Sequence, residues 1–145
     1  MPATNSIAAM LASRFPHEAT QGQSHFFHEM EGFLDKEKWH SQAFILKGYA
    51  GTGKTSLIAA IIQVLPRLNY KSVLLAPTGR AAKVMSNYAQ KRAYTIHKKI
   101  YKQVANPYTG NVEFILKPNT NSHTVYLVDE ASMISDAFSE NDFFI

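Results

Sequence analysis

Apolar residues in the first part of the chain recur at helical spacing. Phe26, Phe27, Met30, Phe33 and Leu34 fall on one face, which predicts a helix beginning near Thr20. Its start reads Thr-x-x-Gln, Thr20 to Gln23, the residue types of a reciprocal capping box. A shorter helix is predicted ahead of it from Ser6 to Arg14, closed by Pro16. Then the period changes. "AFILKG" (43–48) is a nearly continuous apolar run ending in glycine and predicts a buried parallel strand, while "SLIAAIIQVL" (56–65) predicts a helix stopped before Pro66. "KSVLLAP" predicts a second strand, "GRAAKVMSNYAQ" a helix, and "TIHKKIYKQV" a further helix capped by Thr95. "NPYTGN" reads as a turn, "VEFIL" as an extra strand, and "TVYLVDEASM" as a buried strand with acids at its carboxyl end. Strands alternating with helices predict a three-layer α/β domain with a parallel sheet, its functional groups along one sheet edge.

Composition narrows the class. With 145 residues, 46% hydrophobic and 18% charged, the chain has the makeup of one soluble globular domain with a real core. No apolar run is long enough to cross a bilayer, so no membrane partner is expected. "MPATNSIAAMLASRF" lacks the marks of a secretory signal and is read as a surface helix rather than a transit peptide. The absence of cysteine excludes disulfides and Cys-based zinc sites and fits a reducing, cytoplasmic setting.

Charge adds more than its net value of +4. No Asp or Glu occurs between Glu37 and Glu113, an interval that holds twelve lysines and arginines, among them Lys54, Arg80, Lys91, Arg92 and Lys98. Two readings stay open at this point: an anionic partner such as nucleic acid, or solvated helix faces whose acidic counterparts lie elsewhere.

Within that interval "GYAGTGKTS" carries G-x-x-x-x-G-K-T, with Gly48, Gly53, Lys54 and Thr55 at the fixed positions. Glycines let the backbone fold around a phosphate with its amides pointing inward. Lys54 reaches the β and γ phosphates, and the Thr55 hydroxyl suits Mg²⁺. The ATP-binding set is Gly48, Gly51, Thr52, Gly53, Lys54, Thr55 and Ser56, at the positive end of the predicted helix. Downstream, "VYLVDEAS" places Asp129 to hold Mg²⁺ and Glu130 to orient or deprotonate the attacking water. Lys54, Asp129 and Glu130 are thus the candidate catalytic residues, with Thr55 and Asp129 the metal ligands.

The strand "SVLLA" runs into Pro77, Thr78, Gly79 and Arg80, whose N–H groups, hydroxyl and guanidinium suit a second line of phosphates. The same residues also make an ordinary helix start with Thr78 as cap. Tyr49 and Tyr88 have the chemistry to stack on bases, although most aromatics in this chain read as core, and the remaining histidines, including His25 and His28, read as surface residues.

In this order and at these separations, "GYAGTGKTS", "LLAPTGRAAKVM", "TIHKKIY" and "LVDEASMIS" resemble motifs I, Ia, Ib and II of superfamily 1 helicases. The match is nearest to the RecD-like branch of superfamily 1B, which translocates 5′ to 3′ on single-stranded DNA. "TQGQ" resembles that family's Q motif, so the likeness runs from Thr20 to Asp136. It implies a helical segment with the Q motif over residues 1–40 and a partial RecA-like P-loop ATPase domain over 41–145. It also implies that Gln23 recognises adenine, and that Thr78, Arg80, Thr95 and His97 lie near the DNA strand. Gln23 is equally explained by the capping box, and His97 by packing on an amphipathic helix.

The family pattern continues past motif II with motif III, later arginines and a second RecA-like domain. None of Arg14, Arg67, Arg80 and Arg92 matches a family arginine finger, a group worth roughly 10³ to 10⁵ in rate. The terminal Phe143, Phe144 and Ile145 read as the start of another buried element. The expectation is therefore the N-terminal part of an ATP-dependent DNA helicase acting in recombination or repair. Its cofactors are ATP and Mg²⁺, its partners single-stranded DNA and the missing second RecA-like domain, and it binds ATP better than it hydrolyses it. The alternatives are a nucleotide-dependent nucleic-acid-binding module without productive hydrolysis, and a P-loop ATPase or kinase unrelated to DNA. "APTGRAAK" followed by "TIH" disfavours the last.

Overall fold

The structure, a computed structural model, describes residues 6–35 and 42–135. Two compact units divide the chain, Met1–Tyr70 and Lys71–Ile145. The expected element at Phe143–Ile145 lies outside the described residues.

The first unit is helical. Helix α1, Ile7–Arg14, starts where Ser6 Oγ accepts from the Ala9 N–H, and it buries Ala8 and Leu11. Helix α2, Gln21–Phe33, is capped by Thr20 in a complete capping box, which satisfies amide donors that the first turn leaves orphaned. Phe26, Phe27 and Met30 form its buried face, as the period predicts. Helix α3, Lys54–Val64, buries Leu57, Ala60, Ile61, Ile62 and Val64 and passes into a 3₁₀ turn over Leu65–Leu68 that contains Pro66. Leu11, Leu34, Leu65 and Val64 are sealed from solvent. Edge-to-face contacts link Phe15 to Phe27, Phe27 to Phe26, and Phe44 to both Phe26 and Phe33, with centroids 5.5–6.0 Å apart.

The expected strand over "AFILKG" does not form. Residues 42–49 have no regular structure, and Ile45 is 77% exposed. An apolar run supplies one side of a strand, but a strand exists only where a neighbouring backbone completes its ladder.

The second unit holds the parallel sheet. Strand β1, Lys71–Ala76, is central in the order β2-β1-β5, with β2 at Ala93–Thr95 and β5 at Thr124–Val128, both parallel to it. Helix α4, Gly79–Ala89, packs on β1 and β2 through Ala82 and Met85. Parallel strands joined through a helix are the α/β class expected, and the arrangement is that of a partial P-loop NTPase fold. Two expectations need correction here. "TIHKKIYKQV" is not one helix: α5 covers only Ile96–Ile100, and Tyr101–Ala105 becomes β3, antiparallel to β4 at Val112–Leu116 across the turn at 106–111. Strand β5 is also less buried than its sequence suggests, with Tyr126 37% and Val128 39% exposed, because it lies at the edge of this sheet.

Candidate nucleotide-binding site

The phosphate-loop residues are shaped by close backbone approaches. Gly51 and Gly53 have φ of 78° and 84°, the left-handed region that glycine enters without steric cost. Gly48 is required for a different reason. A Cβ there would sit 2.8 Å from Thr52 Oγ1, and that hydroxyl donates to the Tyr49 carbonyl at 2.7 Å. The loop thus closes on itself around residues 48–53. Lys54 Nζ donates to the Gly48 and Tyr49 carbonyls at 2.5 and 2.6 Å, which draws the ammonium back over the loop. Gly53 is the N-cap of α3 and offers no side-chain acceptor, so the first amides of an 11-residue helix keep their polarity for another acceptor. Thr55 and Ser56 stand in that first turn, Thr55 exposed.

Gln23 joins this group. Its Oε1 accepts from the Thr20 N–H at 2.9 Å, and its Nε2 donates to the Thr52 carbonyl at 3.1 Å. One amide therefore completes the capping box with its oxygen and holds the phosphate loop with its nitrogen. Sequence leaves capping and nucleotide recognition both open for Gln23, and compatible with each other; the geometry gives the side chain a cap and a loop contact at once. Gln23 Nε2 also lies where a Cβ on Gly53 would be, 2.8 Å away, so this glycine is fixed by space as well as by φ.

In the second unit the candidate residues collect at the carboxyl ends of adjacent strands. Ala76 pairs with Thr95, and Leu75 with Val128, so Thr95 closes β2 while Pro77–Thr78 and Asp129–Glu130 follow the ends of β1 and β5 along one sheet edge. Thr78 Oγ1 accepts from the Ala81 N–H at 3.2 Å, leaving Arg80 exposed in the first turn of α4. Thr95 caps α5 in the same way. His97 stacks on Tyr101 with centroids 5.6 Å apart, a packing role inside this unit. Basic groups of this unit are met by neutral partners: Lys91 donates to Ser72 Oγ at the amino end of β1, and Arg92 and Lys99 lie over the Tyr94 ring.

Tyr88 is the site residue that sequence reasoning missed. Of the two readings open for it, the structure favours packing: it is half-buried and donates to Asp129 Oδ2 at 2.7 Å. Burial first, then this hydrogen bond and the charges of Asp129 and Glu130, push its hydroxyl well above the usual tyrosine pKa. Tyr88 stands one turn after the buried Met85 on α4, which places it beside the core face, but no spacing rule names its partner 41 residues away. Asp129 Oδ1 accepts from the Glu130 N–H at 2.9 Å, and Glu130 itself adopts a left-handed conformation with φ 54°. Tyr49, the other candidate aromatic, is 90% exposed.

The donor set fits the cofactor. The loop, where a Cβ at Gly48 or Gly53 would meet a neighbouring side chain, and the helix start behind it suit a triphosphate. Among the described residues no group of three or more His, Asp or Glu side chains could hold a metal by itself. Mg²⁺ takes one or two protein groups and completes its shell with substrate phosphates and water.

The AAA domain family matches residues 34–140. The chain is 35% identical over 119 residues to the ATP-dependent DNA helicase dda of Enterobacteria phage T4, an alignment covering 80% of this chain and 26% of that protein. It is 33% identical over 101 residues to an uncharacterized protein of Methanocaldococcus jannaschii, covering 62% of this chain and 8% of that protein. The chain therefore spans about a quarter of the length of the phage helicase and under a tenth of the archaeal protein. No solved structure matches the chain.

Proposed function

We propose, from the premise that the chain belongs to the AAA domain family, that it is the ATP-binding portion of a superfamily 1 DNA helicase of the RecD-like branch. In this reading it moves 5′ to 3′ on single-stranded DNA, serves recombination or repair, and works in the cytoplasm. Similarity to a phage protein described as an ATP-dependent DNA helicase supports the class. The observation that carries the reading is the shared sheet edge, where the acids after β5 and the Pro-Thr-Gly-Arg turn after β1 share one end of the sheet with Thr95, the last residue of β2.

The division of labour follows from the residues. Lys54 exchanges the Gly48 and Tyr49 carbonyls for phosphate oxygens, a trade that a charged acceptor favours. The amides at the start of α3 and of the glycine loop supply further donors, with Thr52 inside the loop and Ser56 in the first turn of α3. Gln23 reads the adenine edge while its contact to the Thr52 carbonyl reports to the loop. Thr55 and Asp129 hold Mg²⁺, which when bound neutralises phosphate charge. Glu130 orients or deprotonates the attacking water. Thr78, Arg80, Thr95 and His97 meet the DNA backbone, with Arg80 the exposed cation among them.

The test is ATP hydrolysis by the 145-residue chain with and without single-stranded DNA, beside a DNA titration. Stimulated hydrolysis would mark a motor element whose site is completed in trans. DNA and Mg-ATP binding with little turnover is the outcome expected of a chain without an arginine finger, since that group serves hydrolysis and not binding. Failure to bind single-stranded DNA in either nucleotide state would contradict the helicase reading.

A further inference from the structure

Asp129 follows β5 directly, its backbone N–H bonded to the Leu75 carbonyl at 3.0 Å, so its main chain is fixed by the sheet. Its side chain is fixed separately. Oδ1 takes the neighbouring Glu130 N–H, a local contact, whereas Oδ2 takes the Tyr88 hydroxyl from the last turn of α4. Donors on both oxygens leave the carboxylate little freedom about either of its two side-chain torsions. At 2.7 Å the contact is a short hydrogen bond to an acidic acceptor.

The identity of the donor matters. An arginine or lysine in this place would cancel the carboxylate charge and compete with a bound cation. A phenol orients the group and leaves its negative charge available, and each oxygen keeps a second lone pair. Tyr88 is also held in place by the helix that carries it. Helix α4 is anchored to β1 and β2 by Ala82 and Met85, and its opposite end is the Thr78-capped turn that bears Arg80.

We propose that Tyr88 is a positioning residue for the nucleotide reaction: its hydroxyl, carried by α4, holds the Asp129 carboxylate in the orientation that receives the metal-bound nucleotide. This rests on the role proposed above for Asp129. It makes α4 a support of the nucleotide site as well as the carrier of Arg80.

The experiment is ATP binding by the full chain, measured once with Mg²⁺ and once with excess chelator, for the wild type and for Tyr88→Phe, with thermal melting alongside. Tyr88→Phe removes one oxygen and keeps the ring. The expected result is a loss of about tenfold in affinity with Mg²⁺, the low end for removing a partner of a metal ligand, and no change with chelator. In an Asp129→Asn background the same substitution should have no further effect on the Mg²⁺ dependence. Equal affinities for wild type and variant in Mg²⁺ would overturn the proposal, and so would equal losses with and without Mg²⁺, which mark a purely structural role. If Tyr88→Phe melts too low to assay, Tyr88→Met deletes the same hydroxyl and must show the same selective loss. A wild type whose ATP affinity ignores Mg²⁺ would instead contradict the metal role of Asp129 itself, a different failure from that of Tyr88.

Discussion

Gln23 shows how one side chain carries two contacts that substitution can separate. A carboxylate in its place keeps the acceptor for the Thr20 N–H and stands favourably at a helix N-terminus, but it loses the donor to the Thr52 carbonyl. Gln23→Glu should therefore keep the melting temperature close to wild type while weakening Mg-ATP binding. Gln23→Ala should lose both, with a stability cost of about 1 kcal/mol from the cap. Parallel melting and ATP titrations separate the two, and a Gln23→Glu variant with wild-type ATP affinity would reduce Gln23 to a cap. Tyr88 leads to a pH dependence. Its folded-state pKa lies above the unfolded value of about 10, so its contribution to stability is complete below that pH. As pH rises further the unfolded chain ionises this tyrosine first, and the contribution is lost. Melting curves from pH 8 upward should show the gap between wild type and Tyr88→Phe narrowing above pH 10; a constant gap would contradict the raised value.

At the scale of elements, backbone conformation decides which glycines matter. Gly53→Ala puts a Cβ into the left-handed region, at a cost of roughly 1–2 kcal/mol, and against Gln23 Nε2. Gly22, exposed in α2 with nothing within 4 Å of a Cβ, should instead gain up to about 1 kcal/mol as Ala. Chemical denaturation of both variants checks the opposite signs. Elements whose signal is local were legible in the sequence: the capping box at Thr20 and Gln23, the caps at Ser6, Thr78 and Thr95, and the stop of α3 before the 3₁₀ turn at Pro66. Those that need a distant backbone were not. "AFILKG" has the composition of a strand and no ladder in the structure. Residues 101–105 continue a helical pattern, yet become β3 because residues 112–116 offer a partner across the turn. Strand β2 went unread because "AYT" is three residues long and is defined only by its pairing with β1. The chemistry divides the same way: the glycine loop and the paired acids stand out by spacing, whereas the Tyr88–Asp129 contact joins residues 41 apart.

For the molecule as a whole, charge distribution sets the expected behaviour toward DNA. The acid-free interval from residue 38 to 112 gives one-signed charge, and Arg80 stands exposed at the start of α4. Arg80→Ala should weaken single-stranded DNA binding across sequences and reduce the slope of log affinity against log salt by about one. A slope that does not move would remove the Pro-Thr-Gly-Arg turn from the DNA path. Everything proposed for this chain depends first on its glycine loop holding a nucleotide through Lys54. The most direct test is a calorimetric titration of Mg-ATP into the wild type and into Lys54→Ala, with circular dichroism to confirm that helix content is kept. Saturable binding by the wild type, abolished in a folded Lys54→Ala, is the expected result. Equal affinity in the two proteins, or no binding by a folded wild type, would contradict it.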